Sequence, residues 1–97
     1  MDKDKNLSIE EVFNLATNKH QNNYLNEAKN LYSQILKIDP YYTNANINLG
    51  MILQNGGDYK KAKICYEKAI EADPNQANVH GNLGVIFKIL GENKKAK

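Results

Sequence analysis

The feature that most constrains this chain is that it repeats itself at one fixed interval. Asp39-Pro40 returns as Asp73-Pro74, Asn48-Leu49-Gly50 as Asn82-Leu83-Gly84, and Lys60-Lys61-Ala62-Lys63 as Lys94-Lys95-Ala96-Lys97, each at the same step along the chain. Ala28, Ala62 and Ala96 keep that step, as do Tyr32 and Tyr66, and Gly57 and Gly91. Several residue types holding one register mark a repeated supersecondary unit. Such a unit cannot hide its apolar face alone and has to stack on its neighbours.

Each unit reads as two helices. Ala45, Leu49, Ile52 and Leu53 stand at helical spacing and form one apolar stripe. Gly56-Gly57 stops that helix, Asp58 follows in an N-cap place, and Tyr59, Ala62, Tyr66, Ala69 and Ile70 line a second helix that Pro74 ends. The first unit has the same layout with Asn22-Asn23 at the turn, and Ser8 followed by Glu11 reads as a capping box. The third unit supplies one helix, from about Ala77 to Leu90, then a glycine turn and only the opening residues of a partner helix. This predicts a lead-in over 1–8, units over 9–42 and 43–76, and a partial unit over 77–97. The small residues Ala16, Gly50 and Gly84, answered by Ala28, Ala62 and Ala96, are expected where the two helices of a pair approach most closely. Tyr32 and Tyr66 are expected to fill the wider space beside each contact. The predicted fold is all-α, a right-handed superhelix of helix pairs with about two and a half repeats.

The arrangement resembles the tetratricopeptide repeat, a helix–turn–helix unit with the same spacing. Its Leu-Gly pair corresponds to Leu49-Gly50 and Leu83-Gly84, and its small residue on the second helix to Ala28, Ala62 and Ala96. Its aromatic corresponds to Tyr32 and Tyr66, its alanine to Ala69, and its closing proline to Pro40 and Pro74. The resemblance runs from Ile9 to Lys97. It departs where the family often carries tryptophan, here Val12, Asn46 and His80, and at Ile35, where alanine is usual.

Composition narrows the function classes. A chain of 97 residues has little room for an enclosed active site, and nothing here points to an enzyme or a cofactor. The one cysteine rules out an internal disulfide and a cysteine-based zinc site. The net charge is +2 and all 13 basic residues are lysine. Without arginine, the planar fork that grips phosphate and guanine is missing, which argues against nucleic acid. No apolar run is long enough to span a membrane, and the polar start Met1-Asp2-Lys3-Asp4-Lys5 shows no secretory leader, so the expected location is cytoplasmic.

Few residues carry chemistry. His20 and His80 lie in different units, and neither has a histidine or acid one helical turn on to complete a metal or catalytic set. His20 is expected on the inner face and His80 as a packing residue inside a helix pair. Lys61 and Lys68 near Cys65 would lower a thiol pKa, but the plainer expectation is a half-buried, unreactive cysteine.

The remaining candidate is a surface. In the family it resembles, the first helix of each pair lines the concave side. That resemblance places Glu10, Phe13, Asn14, Thr17, His20 and Gln21 there from the first unit, and Asn44, Ile47, Asn48, Met51, Gln54 and Asn55 from the second. From the third come Asn78, Gly81, Asn82, Val85, Lys88 and Ile89. Asn14, Asn48 and Asn82 fall in register, and a carboxamide offers donors and an acceptor suited to a peptide backbone. Rows of this kind bind extended peptide in superhelical members such as the repeat region of O-linked N-acetylglucosamine transferases. The peptide-contact set implied is Asn14, Thr17, Gln21, Asn44, Asn48, Met51, Asn55, Asn78, Asn82 and Val85. Chaperone-tail clamps of the family need a lysine-rich set. Here Phe13, Thr17, Asn48, Asn78 and Asn82 stand in those places and only Asn48 fits.

Because the sequence stops at Lys97, just inside a predicted helix, it reads as an N-terminal fragment of a longer array, natural or engineered. Leu83, Ile86, Phe87 and Leu90 are then expected to be partly uncovered and to drive self-association. The leading expectation is a non-catalytic module that holds a protein or peptide in its groove. The alternatives are the substrate-recruiting front of a larger glycosyl- or sulfotransferase, or a self-assembling repeat.

Overall fold

The computed structural model describes residues 7–91. They form five α-helices: α1 (Ile9–Gln21), α2 (Leu25–Ile38), α3 (Thr43–Asn55), α4 (Tyr59–Ala72) and α5 (Ala77–Leu90). Each packs mainly on the helix before and after it in the chain, giving an all-α repeat solenoid. Ala96 and the partner helix expected for α5 lie outside the described residues.

Local chemistry sets the helix ends. Ser8 Oγ accepts from the Glu11 N–H at 3.1 Å while Glu11 Oε1 accepts from the Ser8 N–H at 2.9 Å, a reciprocal box that opens α1. Asp58 accepts from the Lys61 N–H and opens α4. The turn inside each unit uses a left-handed residue at one register: Asn23 (φ 67°), Gly57 (φ 89°) and Gly91 (φ 75°). Asparagine is the non-glycine residue best able to adopt that conformation. The turn between units uses Asp-Pro. Asp39 Oδ1 accepts from the Tyr41 N–H and Asp73 Oδ1 from the Asn75 N–H. The helix that follows then reaches back. Asn46 Nδ2 donates to the Pro40 carbonyl, and His80 Nε2 contacts the Pro74 carbonyl at the same 2.9 Å.

The helix pair inside which His80 is expected includes the partner of α5, which lies outside the described residues. Among the described residues His80 makes its proline contact at the exposed surface, whereas Asn46 in the same register makes the equivalent one while buried.

The buried side chains form two clusters, and neither coincides with one sequence unit. The first joins Ala16, Ala28, Tyr32 and Ile35 to Ala45, Leu49 and Ile52 of α3 and Cys65 of α4. The second joins Ile47, Ala62, Tyr66 and Ala69 to Val79, Leu83 and Ile86 of α5. Leu53 packs against both. Each core thus centres on one helix pair closed by the first helix of the next, and the first core also takes Cys65 from α4. Tyr32 and Tyr66 are fully buried, each ring contributing on the order of 4 kcal/mol of transfer free energy.

Two packing expectations need correction. Leu83 and Ile86 are buried, not partly uncovered, because α4 covers them from the other side through Ala62, Tyr66 and Ala69. Gly50 does mark a close approach, but toward Tyr66: a methyl group there would lie 2.6 Å from a ring carbon. Among the described residues nothing lies within 4 Å of the same point at Gly84, and Ala96, expected opposite it, lies outside them.

Register also shows which face each unit turns toward its predecessor. Leu49 and Leu83 are 8% and 7% exposed inside the cores they share with neighbouring helices, while Leu15 in the same place on α1 is 42% exposed.

Candidate functional site

The first helices α1, α3 and α5 carry the predicted contact residues. Asn14, Gln21, Asn44, Asn55 and Asn78 are exposed, as are Met51 (38%) and Val85 (49%). Thr17 is half-buried and spends its hydroxyl on the Asn14 carbonyl at 2.9 Å. Asn48 and Asn82 are half-buried. Ile47 and Phe13 do not serve as groove contacts in the way expected. Ile47 is buried in the second core, and the half-buried Phe13 ring rests against Tyr32 and Tyr42, with centroids 5.9 and 5.7 Å away.

The structure brings together something the sequence reading missed. Tyr32, from α2, extends its hydroxyl to the seam between α1 and α3. There it accepts from Asn48 Nδ2 at 3.2 Å and lies 3.3 Å from His20 Nδ1. Tyr66, from α4, repeats this between α3 and α5: it donates to Gln54 Oε1 at 2.7 Å and accepts from Asn82 Nδ2 at 3.5 Å. Gln54 stands one period after His20, and Asn82 one period after Asn48, so the two joints are copies with one partner changed. The recurring interval from tyrosine to asparagine, the same in both joints, was the available signal. Asn14 has no such partner among the described residues.

Electrostatics do not favour reactive side chains here. Burial pushes the Cys65 thiol up to about 11 against the opposing pull of Lys68, with Asp58 adding to the rise. Cys65 is thus buried, not half-buried, and is held as a neutral thiol. Burial likewise pushes the Tyr66 phenol up to about 12, only partly offset by the Asn82 hydrogen bond. Tyr32 is raised for the same reason, with Asn48 opposing. Among the described residues no three His, Cys, Asp or Glu side chains cluster as metal ligands, and no helix is long and apolar enough to cross a membrane.

A hollow of about 280 Å3 lies elsewhere, between α1 and α2, lined by Leu7, Ile9, Val12, Leu31, Gln34, Ile35 and Ile38. It contains none of the asparagine row. Phe87 and Leu90 are half-buried on α5, with Lys63 Nζ 5.7 Å from the Phe87 ring centre.

Stacked helix pairs in one fixed register, left-handed turns and small residues at the crossings define a helical-repeat scaffold. The tetratricopeptide repeat pattern matches residues 12–42 and 43–76, and a second tetratricopeptide repeat pattern matches residues 65–97. The chain belongs to the tetratricopeptide repeat family. Among solved structures it is similar in fold to MamA from AMB-1, with a TM-score of 0.83 and 21% identity over 98% of this chain and 52% of that one. A further crystal structure of MamA gives 0.82 and 21% identity over 92% of this chain and 49% of the other. The chain therefore spans about half the length of these structures. No curated protein sequence matches it.

Proposed function

We propose that this chain is a non-catalytic interaction module that holds an extended peptide or helix against the surface of α1, α3 and α5. Membership of a family of protein-interaction scaffolds supports the general reading. The observation that carries the specific one is the pair of joints at Tyr32 and Tyr66. Each holds one N–H of an asparagine on the next first helix, and no described residue takes the carbonyl oxygens of Asn48 and Asn82. A peptide backbone needs an acceptor and a donor from such a carboxamide. Asn14, Asn44, Asn55, Asn78 and Gln21 extend the polar lining, and Met51 and Val85 supply exposed apolar contacts between them.

The test is capture on an array of short synthetic peptides, comparing the chain with its N14A/N48A/N82A variant. The expected result is binding by the parent and at least about tenfold weaker binding by the variant, with helicity retained, as loss of several hydrogen bonds to a ligand implies. Equal binding by both overturns the groove assignment.

Self-association through α5 is a second reading, favoured by exposed Val85 and Ile89 beside half-buried Phe87 and Leu90. Sedimentation of the peptide-free chain separates the two. A mass that rises with concentration and is abolished by Phe87→Asp supports self-association, and a constant monomer mass removes it. A third reading, recruitment of substrate for an attached transferase, would use the same surface.

A further inference from the structure

The tyrosine hydroxyls occupy a place that packing alone does not require. Both rings are fully buried, yet both oxygens emerge at a seam between two first helices and bond at their tips. In the second joint the direction of the bonds is settled by chemistry. Tyr66 has one proton, and the carbonyl oxygen Gln54 Oε1 at 2.7 Å takes it. The phenol oxygen is left as an acceptor, and Asn82 Nδ2 donates to it. In the first joint Asn48 Nδ2 donates to Tyr32 in the same way, with His20 Nδ1 standing where Gln54 stands in the second. A hydroxyl that donates on one side accepts more strongly on the other, so the three groups act as one unit.

We infer that Tyr32 and Tyr66 are positioning residues for peptide recognition, aiming the carboxamides of Asn48 and Asn82 from behind. This rests on the groove reading above and deepens it. By taking one Nδ2 proton, each phenol fixes which end of the carboxamide is nitrogen and which torsion the side chain holds. The carbonyl oxygen and the second N–H are then committed to the open side before any peptide arrives. An asparagine held this way does not lose its rotamer freedom on binding, a cost that a free one bears. Asn14, exposed and without a tyrosine behind it among the described residues, bears that cost in full. The row is accordingly unequal: two set amides and one loose one. The ligand this suits is a stretch of extended backbone lying across the two seams, read through its main-chain groups.

The experiment uses the full chain and its Tyr32→Phe and Tyr66→Phe variants, which keep each ring and remove only the hydroxyl. Nuclear magnetic resonance without peptide reads the side-chain couplings and amide resonances of the three asparagines. Asn48 and Asn82 should show one fixed rotamer and Asn14 an averaged one. Tyr32→Phe should release Asn48 alone, and Tyr66→Phe Asn82 alone. With the tightest peptide from the array as probe, each variant should bind about three- to tenfold more weakly, while Asn14→Ala costs less than Asn48→Ala. Couplings of Asn48 that stay fixed in Tyr32→Phe overturn the inference. So does release of the amide with no change in affinity. If the parent chain captures no array peptide, the groove reading fails, whereas the peptide-free measurement still decides whether the phenols hold the amides.

Discussion

At the scale of single residues, the tyrosine between the small residues of each pair has two separate duties. Its ring fills the core, and its oxygen leaves the core to order the polar surface. Cys65 shows the opposite case, a group with latent reactivity that burial switches off. Relative to a thiol at 9.0, a value near 11 leaves about a hundredfold less thiolate at pH 8. Alkylation by iodoacetamide at pH 8 should therefore be at least about a hundredfold slower in the folded chain than in urea. The linkage has a definite sign. Cys65 and Tyr66 both have folded values raised above 9.0 and 10.0, so the folded state keeps protons that the unfolded state releases. Their contribution to stability is complete below about pH 9 and declines as pH rises through 11 and 12. Urea midpoints measured across that range should fall less steeply in Cys65→Ala than in the parent, and equal slopes would count against the burial argument.

At the scale of elements, the repeat offers an internal control. Gly50 and Gly84 share a register but not an environment. Adding a methyl group at Gly50 drives it to 2.6 Å from Cε1 and 2.8 Å from Cδ1 of Tyr66, a ring that is fully buried and has no room to retreat. Gly50→Ala should cost about 1–3 kcal/mol through overpacking, outweighing the gain in helix propensity. Among the described residues Gly84→Ala meets nothing within 4 Å, and it should stabilise α5 by up to about 1 kcal/mol. Thermal melts of the two variants should therefore move in opposite directions. The helices themselves were legible in the sequence because their signals are local: the Ser8–Glu11 box, Asp58, the Asn22-Asn23 and Gly56-Gly57 turns, and the Asp-Pro steps. What the sequence did not disclose depends on contacts between helices. His80 and Asn46 share a register and a proline-carbonyl contact but differ in cover, and the burial of Leu83 and Ile86 depends on α4. The Tyr32–Asn48 and Tyr66–Asn82 bonds join residues that the period places in different units, so reading units one at a time passes over them.

At the scale of the whole molecule, the unit of sequence and the unit of packing are out of phase. The first core needs Ala45, Leu49 and Ile52 from α3 and Cys65 from α4, all of which follow the boundary at Tyr42. A chain cut to residues 1–42 should be largely unfolded by circular dichroism. A chain of residues 1–76 keeps the first core entire and should melt cooperatively, at a lower temperature than the parent because it lacks Val79, Leu83 and Ile86 of the second. Cooperative melting of the 1–42 piece would show that a single hairpin suffices and would contradict the shared-core description.

This overlap bears on how such a chain can grow. The tyrosine–asparagine bond made across one joint recurs one period later, so a duplicated block of that length restores the joint wherever the breakpoints fall, inside a helix as readily as in a turn. Gain or loss of a whole period thereby keeps the joint, whereas one or two residues added inside a helix swing its tyrosine or asparagine away from the seam.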